Sequence, residues 1–157
     1  MTKNSIQEYT RKIADANPTE LIVLVYEIAE NYLDEAIMAH KEADAQSFKA
    51  NIDKASKCGN DLIEALDVQY DISKQLMDIY LFINRELALS VVKNDSSMVV
   101  RIQAMMTKLK NTFVELSKKD DSSKVMGNTQ EVYAGLTYGK SALTENTMEQ
   151  NSRGYKV

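Results

Sequence analysis

Between Asn17 and His40 apolar residues recur with a helical period. At about 100° per residue, Leu21, Val25, Ile28, Ala29, Tyr32 and Ala36 form one stripe. Ile22, Leu33 and Ile37 widen it on one side and Leu24 on the other, while Val23 and Tyr26 fall outside it. A surface helix needs an apolar arc of roughly 100° or somewhat more. The start of this helix is apolar nearly all round, so a second cover is expected. Another helix of the same domain would serve, and so would a partner's helix laid in a groove. The helix start itself is written three ways. Asn17 can cap the first turn, a bond worth about 1 kcal/mol. Pro18 sits at the first helical position, where its missing N–H is not needed. Glu20 stands where a capping box would place it.

Three further stretches carry the same period. After a turn around Asp44, with Ser47 as the expected cap, Phe48, Ile52, Ala55, Gly59, Leu62, Ile63 and Leu66 make one stripe with a polar back. Gly59 inside the stripe costs about 1 kcal/mol in helix propensity, which a close helix–helix approach would explain. Cys58 at the stripe's edge reads as packing. Residues 67–71 form a connection. Ile72, Leu76, Ile79, Tyr80, Ile83, Leu87 and Val91 then give a core stripe, and Phe82 and Leu89 lie well away from it on a second face. Lys93-Asn94-Asp95-Ser96 is a turn with Asp95 or Ser96 as cap. Met98, Ile102, Met105, Leu109, Phe113 and Leu116 form the last stripe, with Val99 and Met106 on its shoulder. Four long amphipathic helices with short connections predict an all-α fold, an antiparallel up-down four-helix bundle.

Two flanks complete the chain. Residues 1–16 carry Ile6, Tyr9 and Ile13 on one stripe, a helix too short to stand alone. It must dock, and the over-apolar start of the next helix is the nearest surface. From Ser117 the composition turns polar, so residues 1–117 read as the helical domain and 118–157 as a polar linker with a flexible, disordered tail. The alternative for the tail is ordering against an apolar groove, most readily through residues 131–138.

Composition narrows the function classes. In 157 residues with a formal net charge of −4, neither nucleic acid nor an anionic membrane is a natural partner. One cysteine allows no internal disulfide. The N-terminus lacks the apolar core of a signal peptide, and no apolar run approaches the roughly 18 residues of a membrane span, so a soluble cytoplasmic protein without membrane insertion is expected. The single histidine, His40, has Ile37 three residues before it, so the Glu-x-x-His pairs of bundle metal sites are missing. No phosphate-binding glycine loop and no nucleophile–histidine motif occurs. An enzyme is therefore not expected, nor any catalytic, cofactor or metal site.

These residues also carry a resemblance. Ile6-x-x-Tyr9, then Asn17-Pro18-x-Glu20-Leu21-Ile22 leading to Leu24-x-Tyr26, then Leu66-Asp67, Ile79-Tyr80-x-Phe82-Ile83-x-Arg85-x-Leu87 and Asn94-Asp95 stand in order and register over residues 4–117. In this the chain resembles the flagellin-specific export chaperone family, FliS. The resemblance implies a cytoplasmic antiparallel helical bundle that binds the C-terminal segment of flagellin in apolar grooves. It implies that premature polymerisation is prevented and that the client is delivered to the membrane protein of the type III export gate. Ile6 and Tyr9 map onto the family's export-gate docking pair. Ile22, Val23, Tyr26, Phe82 and Leu89 are the expected flagellin-groove residues. The chain departs from the family pattern at Phe113, where members often carry Trp, at Leu81, where many carry an acid, and in the length of 118–157. The added tail is expected to lie in or beside the client groove when the client is absent. A helical adaptor for another exported or regulatory protein, or a homodimer interface over the second face, are the other uses of the same surface.

Overall fold

The structure is a computed structural model and describes residues 1–126. Those residues hold five helices and no strand: α1 (Lys3–Asp15), α2 (Pro18–Lys41), α3 (Ala45–Glu64), α4 (Asp71–Lys93) and α5 (Ser96–Ser117). Three of the four long helices start on a side-chain cap, and α4, which follows Tyr70, does not. Asn17 accepts from the Glu20 amide at 2.8 Å, with Pro18 at the first position of α2. Asp95 accepts from the Ser97 amide at 2.8 Å and caps α5. The cap of α3 is Asp44, not the expected Ser47: the Ser47 amide donates to the Asp44 carboxylate at 3.0 Å. Ser47 is three residues downstream of the cap, where it donates rather than accepts. α4 ends on Asn94 in the left-handed region (φ 50°), the usual way to terminate a helix without glycine.

Packing follows chain order. α2 lies against α3 and α5, α4 lies against α3 and α5, and α1 rests chiefly on α2. The core gathers Ala29, Leu33 and Ala36 of α2, Phe48, Ile52, Ala55 and Leu62 of α3, Tyr80, Ile83 and Leu87 of α4, and Val99, Ile102 and Met106 of α5. Gly59 is the close approach its position predicts. A Cβ there would lie 2.3 Å from Asn84 Oδ1 on α4. Cys58 is buried beside it, and burial pushes its thiol up to about 11, so it packs rather than reacts.

Two expected groove residues are core instead. Tyr26 is fully buried (0% exposed) and its hydroxyl lies 2.5 Å from that of Tyr80. Its ring also stacks at a tilt on Phe113, with centroids 5.7 Å apart. Burial raises both tyrosine hydroxyls above their ordinary value, Tyr26 the more strongly. A hydroxyl off the main stripe can enter the core because a second hydroxyl meets it there. Val23 is also buried. It shares a helix flank with Glu30 and Asp34, which bond to Lys110, Thr107 and Gln103 of α5, so that flank is covered within the chain. Ile72 moves the other way: it belongs to the stripe of α4 yet is 59% exposed.

Residues 118–126 also differ from a free linker. They fold back over the α1–α2 junction, where the Val125 amide donates to the Ala16 carbonyl at 2.9 Å and Lys124 pairs with Asp15 at 2.9 Å. Residues 131–138 lie outside the described residues.

Candidate partner-binding groove

The flank of α4 that meets α3 is marked by two contacts, the close approach to Gly59 and the Asn84–Asn60 hydrogen bond of 2.9 Å. The opposite flank, facing α5, carries Ile72, Ile79, Phe82 and Leu89 at helical spacing. On α5 the flank facing α2 is marked in the same way. Gln103 donates to Asp34 at 2.6 Å, and Thr107 and Lys110 reach the Glu30 carboxylate at 2.6 and 2.5 Å. Met105, Leu109 and Leu116 lie on the other flank, toward α4. Seven apolar side chains therefore border one seam.

That seam is not closed along its length. The connection Asn94–Asp95 ties the end of α4 to the start of α5, and near it Ser90, Leu87, Val99 and Ile102 are buried. Away from the connection the two helices expose what they should bury. Leu116 is 49% exposed and Phe82 37%, while Ile79, Leu89, Met105 and Leu109 are half-buried. Of the four seams in the ring α2–α3–α4–α5, this one is packed least. The Arg85 guanidinium lies 5.4 Å from the Phe82 ring, at the rim.

At its open end the seam meets an apolar cleft of about 210 Å³. Ile22 of α2, Leu62 and Leu66 at the end of α3, Ile72 and Leu76 of α4, and Phe113 of α5 line it, with Tyr80 also on its wall. Val68 and Tyr70 are exposed in the α3–α4 connection beside it. Seam and cleft share Ile72, and together they form an apolar trough open to water and bordered by aromatic and aliphatic side chains. Such a trough recognises the apolar stripe of an amphipathic helix or an extended apolar segment.

The expected site residues divide cleanly. Ile22 lines the cleft, Phe82 and Leu89 lie on the α5-facing flank of α4, and Val23 and Tyr26 are buried. Ile72, Leu116 and Phe113 are trough residues that periodicity assigned to the core. The signal for them is residue size rather than position, since large side chains face large ones across this seam. The pair on α1 is placed separately. Ile6 is 52% exposed, and Tyr9 is half-buried with its hydroxyl accepting from Asn31 of α2 at 2.6 Å.

A family model described as flagellar protein FliS matches residues 1–120, a span that takes in all five helices. A comparison with curated proteins finds no match.

Proposed function

The chain belongs to the FliS family of flagellar proteins, a family of export chaperones, and on that premise we propose that it binds the C-terminal segment of flagellin in the α4–α5 trough. α2–α5 form an antiparallel up-down four-helix bundle, and residues 1–117 are the chaperone domain. The client's amphipathic stripe replaces the missing contacts of Ile72, Phe82, Leu89 and Leu116. Held there, it is kept from polymerising in the cytoplasm. Delivery to the export gate runs through the exposed side of α1, with Ile6 as the accessible member of the docking pair and Tyr9 tied to Asn31 until α1 moves. Among the described residues no helix is long and apolar enough to cross a membrane.

The observation that carries this reading is the incompletely closed seam. Seven apolar residues border it, and its open end runs into the cleft holding Ile22 and Phe113. A client that orders on binding forfeits several kcal/mol, and a few buried anchors dominate what is regained. Phe82 is the best-placed anchor, an aromatic ring at the middle of the seam.

Calorimetric titration with the C-terminal segment of the organism's own flagellin tests the reading. One-to-one, submicromolar binding with a large negative heat-capacity change is expected. Phe82→Asp should weaken it on the order of 100-fold, which is the range of an anchor residue, while the helical signal stays unchanged. A folded monomer that does not bind would sink the flagellin reading and leave an adaptor for another exported protein.

One observation favours a second contact as well. Val92 is 82% exposed and Leu81 53%, both on the solvent face of α4 outside the trough. This face supports self-association, which light scattering over a range of concentrations would register as a mass rising toward a dimer.

A further inference from the structure

α1 is weakly attached by its own means. It buries no residue. Its polar ties to α2 are the Asn31–Tyr9 bond and an ion pair between the chain's N-terminal ammonium and Glu35. Between the two helices runs an open cleft of about 460 Å³, lined by Glu8, Arg11, Lys12 and Asp15 of α1 and by Glu20 and Leu24 of α2. A short helix on such a surface would be expected to come and go.

The junction behind it is built differently. Connecting residues normally run exposed over the surface, yet Ala16 and Asn17 are buried. What meets them is the segment that follows α5. Asn17 uses both ends of its carboxamide: Oδ1 accepts from the Glu20 amide, capping α2, and Nδ2 donates to the Asp120 carbonyl at 3.3 Å. The Asp120 carboxylate sits at the N-terminus of α2, where an anion suits the helix dipole. It accepts from the Thr19 hydroxyl at 2.5 Å and the Thr19 amide at 3.4 Å, and its other oxygen from the Ser122 amide at 2.9 Å. Five residues after Asp120, the Val125 amide satisfies the Ala16 carbonyl, and Lys124 reaches Asp15, the last residue of α1. The same nine residues thus grip the end of α1, the hinge and the start of α2 at once.

We infer that residues 118–126 are a strap that sets whether α1 stays on α2. α1 contributes little of the attachment itself, so the equilibrium between docked and released α1 is governed from the far end of the chain. Closing the strap fixes the backbone of residues 15–19, and α1 then has one direction to leave the hinge. Opening it returns the hinge its freedom, and α1 keeps the hydrogen bond of Tyr9, the pairing of the terminal ammonium and the partial burial of Tyr9 and Ile13. Coupling of this kind is reciprocal, so releasing α1 must also loosen the strap by the same factor. The inference rests on contacts within this chain and stands apart from the identity of any client.

Hydrogen exchange on the full chain tests it, with two variants that act at different points. Asp120→Ala removes the carboxylate from Thr19, and Val125→Pro removes the N–H donated to Ala16. In both, amides of Lys3–Asp15 should exchange faster, on the order of ten-fold, as expected when one or two hydrogen bonds holding a local opening are lost. Amides of α3 and α4 should keep their protection. The reciprocal arm is Tyr9→Phe, which should speed exchange at Val125. Unchanged exchange in α1 in both variants overturns the inference, as does equal loosening of α1, α3 and α4. The second result would make the segment part of the general stability of the domain rather than a control on one helix.

Discussion

The α2–α3 seam and the α4–α5 seam are written in the same hydrophobic period, and one closes while the other stays open. Across the first, Ala29, Ala36 and Ala55 stand among Leu33, Phe48 and Ile52. Small residues admit the backbones to close range and large ones fill the spaces between, so all of these side chains are buried. Across the second, Ile72, Ile79, Phe82 and Leu89 meet Met105, Leu109 and Leu116, with a small buried partner only at Ser90 near the connection. There the seam shuts, and away from it the large side chains hold the helices apart. Period decides which face points inward; alternation of size decides whether that face can be sealed from within the chain.

An acid in the closed core and an acid in the open seam separate the two most sharply. Tyr26→Asp places a carboxylate among Ala29, Tyr80 and Phe113 and removes the partner of the Tyr80 hydroxyl. A cost above about 4 kcal/mol is expected, a large share of a domain's stability. Denaturant unfolding should show the variant largely unfolded without denaturant. Phe82→Asp adds its charge where water already reaches, and a change within about 1 kcal/mol is expected. If both variants fold equally well, the core around Tyr26 is no better sealed than the α4–α5 seam.

Gly59→Ala comes next, because it tests what the close approach contributes. The new methyl would meet Asn84 Oδ1 at 2.3 Å, so the Asn84 side chain must turn and give up its bond to Asn60. The expected loss is roughly 1–3 kcal/mol, as for other overpacked sites, seen as a lower denaturation midpoint with an unchanged slope. Adding Asn84→Ala should return part of it by making room. A neutral Gly59→Ala would mean that α3 and α4 can part here without consequence, and the contrast between seams would weaken.

Most of the helical layout is legible in the sequence because it rests on local rules. Asn17-Pro18 starts α2, Asp95 starts α5, and Gly59 marks a contact where a Cβ has no room. Phe82 and Leu89 stand out in the sequence as large apolar residues away from the core stripe of α4. Tyr26 does not stand out as core, because its position off the stripe points outward, and only the arrival of the Tyr80 hydroxyl turns it into core. That contact spans 54 positions and no local pattern encodes it. Ile72 and Leu116 failed in the opposite sense, since a stripe gives a direction and not the distance to the neighbour. The fold-back of 118–126 was hidden for a third reason. Its contacts are polar and fall more than a hundred positions away in the chain, so its composition looks like that of a linker.

The smallest expected effect concerns that segment, and acid separates it from the bundle. The Asp120 carboxyl is held down to about 2, first by Ser122 and then by Thr19. Asp15 beside it is lowered as well, by Lys124 and more weakly by Arg11. A released Asp120 returns to its ordinary value of 3.8. The released segment therefore binds protons more readily than the docked one. By linkage the contribution of Asp120 is present above about pH 4 and is lost as pH falls toward 2, and Asp15 acts in the same sense. The Thr19 amide proton, which points at the Asp120 carboxylate, should titrate by NMR with a midpoint near 2. Asp120→Asn should abolish that titration. Amides in the middle of the α2–α3 seam, such as those of Ala29 and Ala55, should show no inflection with this midpoint, because they lie inside their helices, away from any capping carboxylate. A Thr19 midpoint near 3.8 would mean that the carboxylate is not held at the start of α2. The hinge would then be as open as the α4–α5 seam, and the molecule would have two loose regions instead of one that is open and one that is tied.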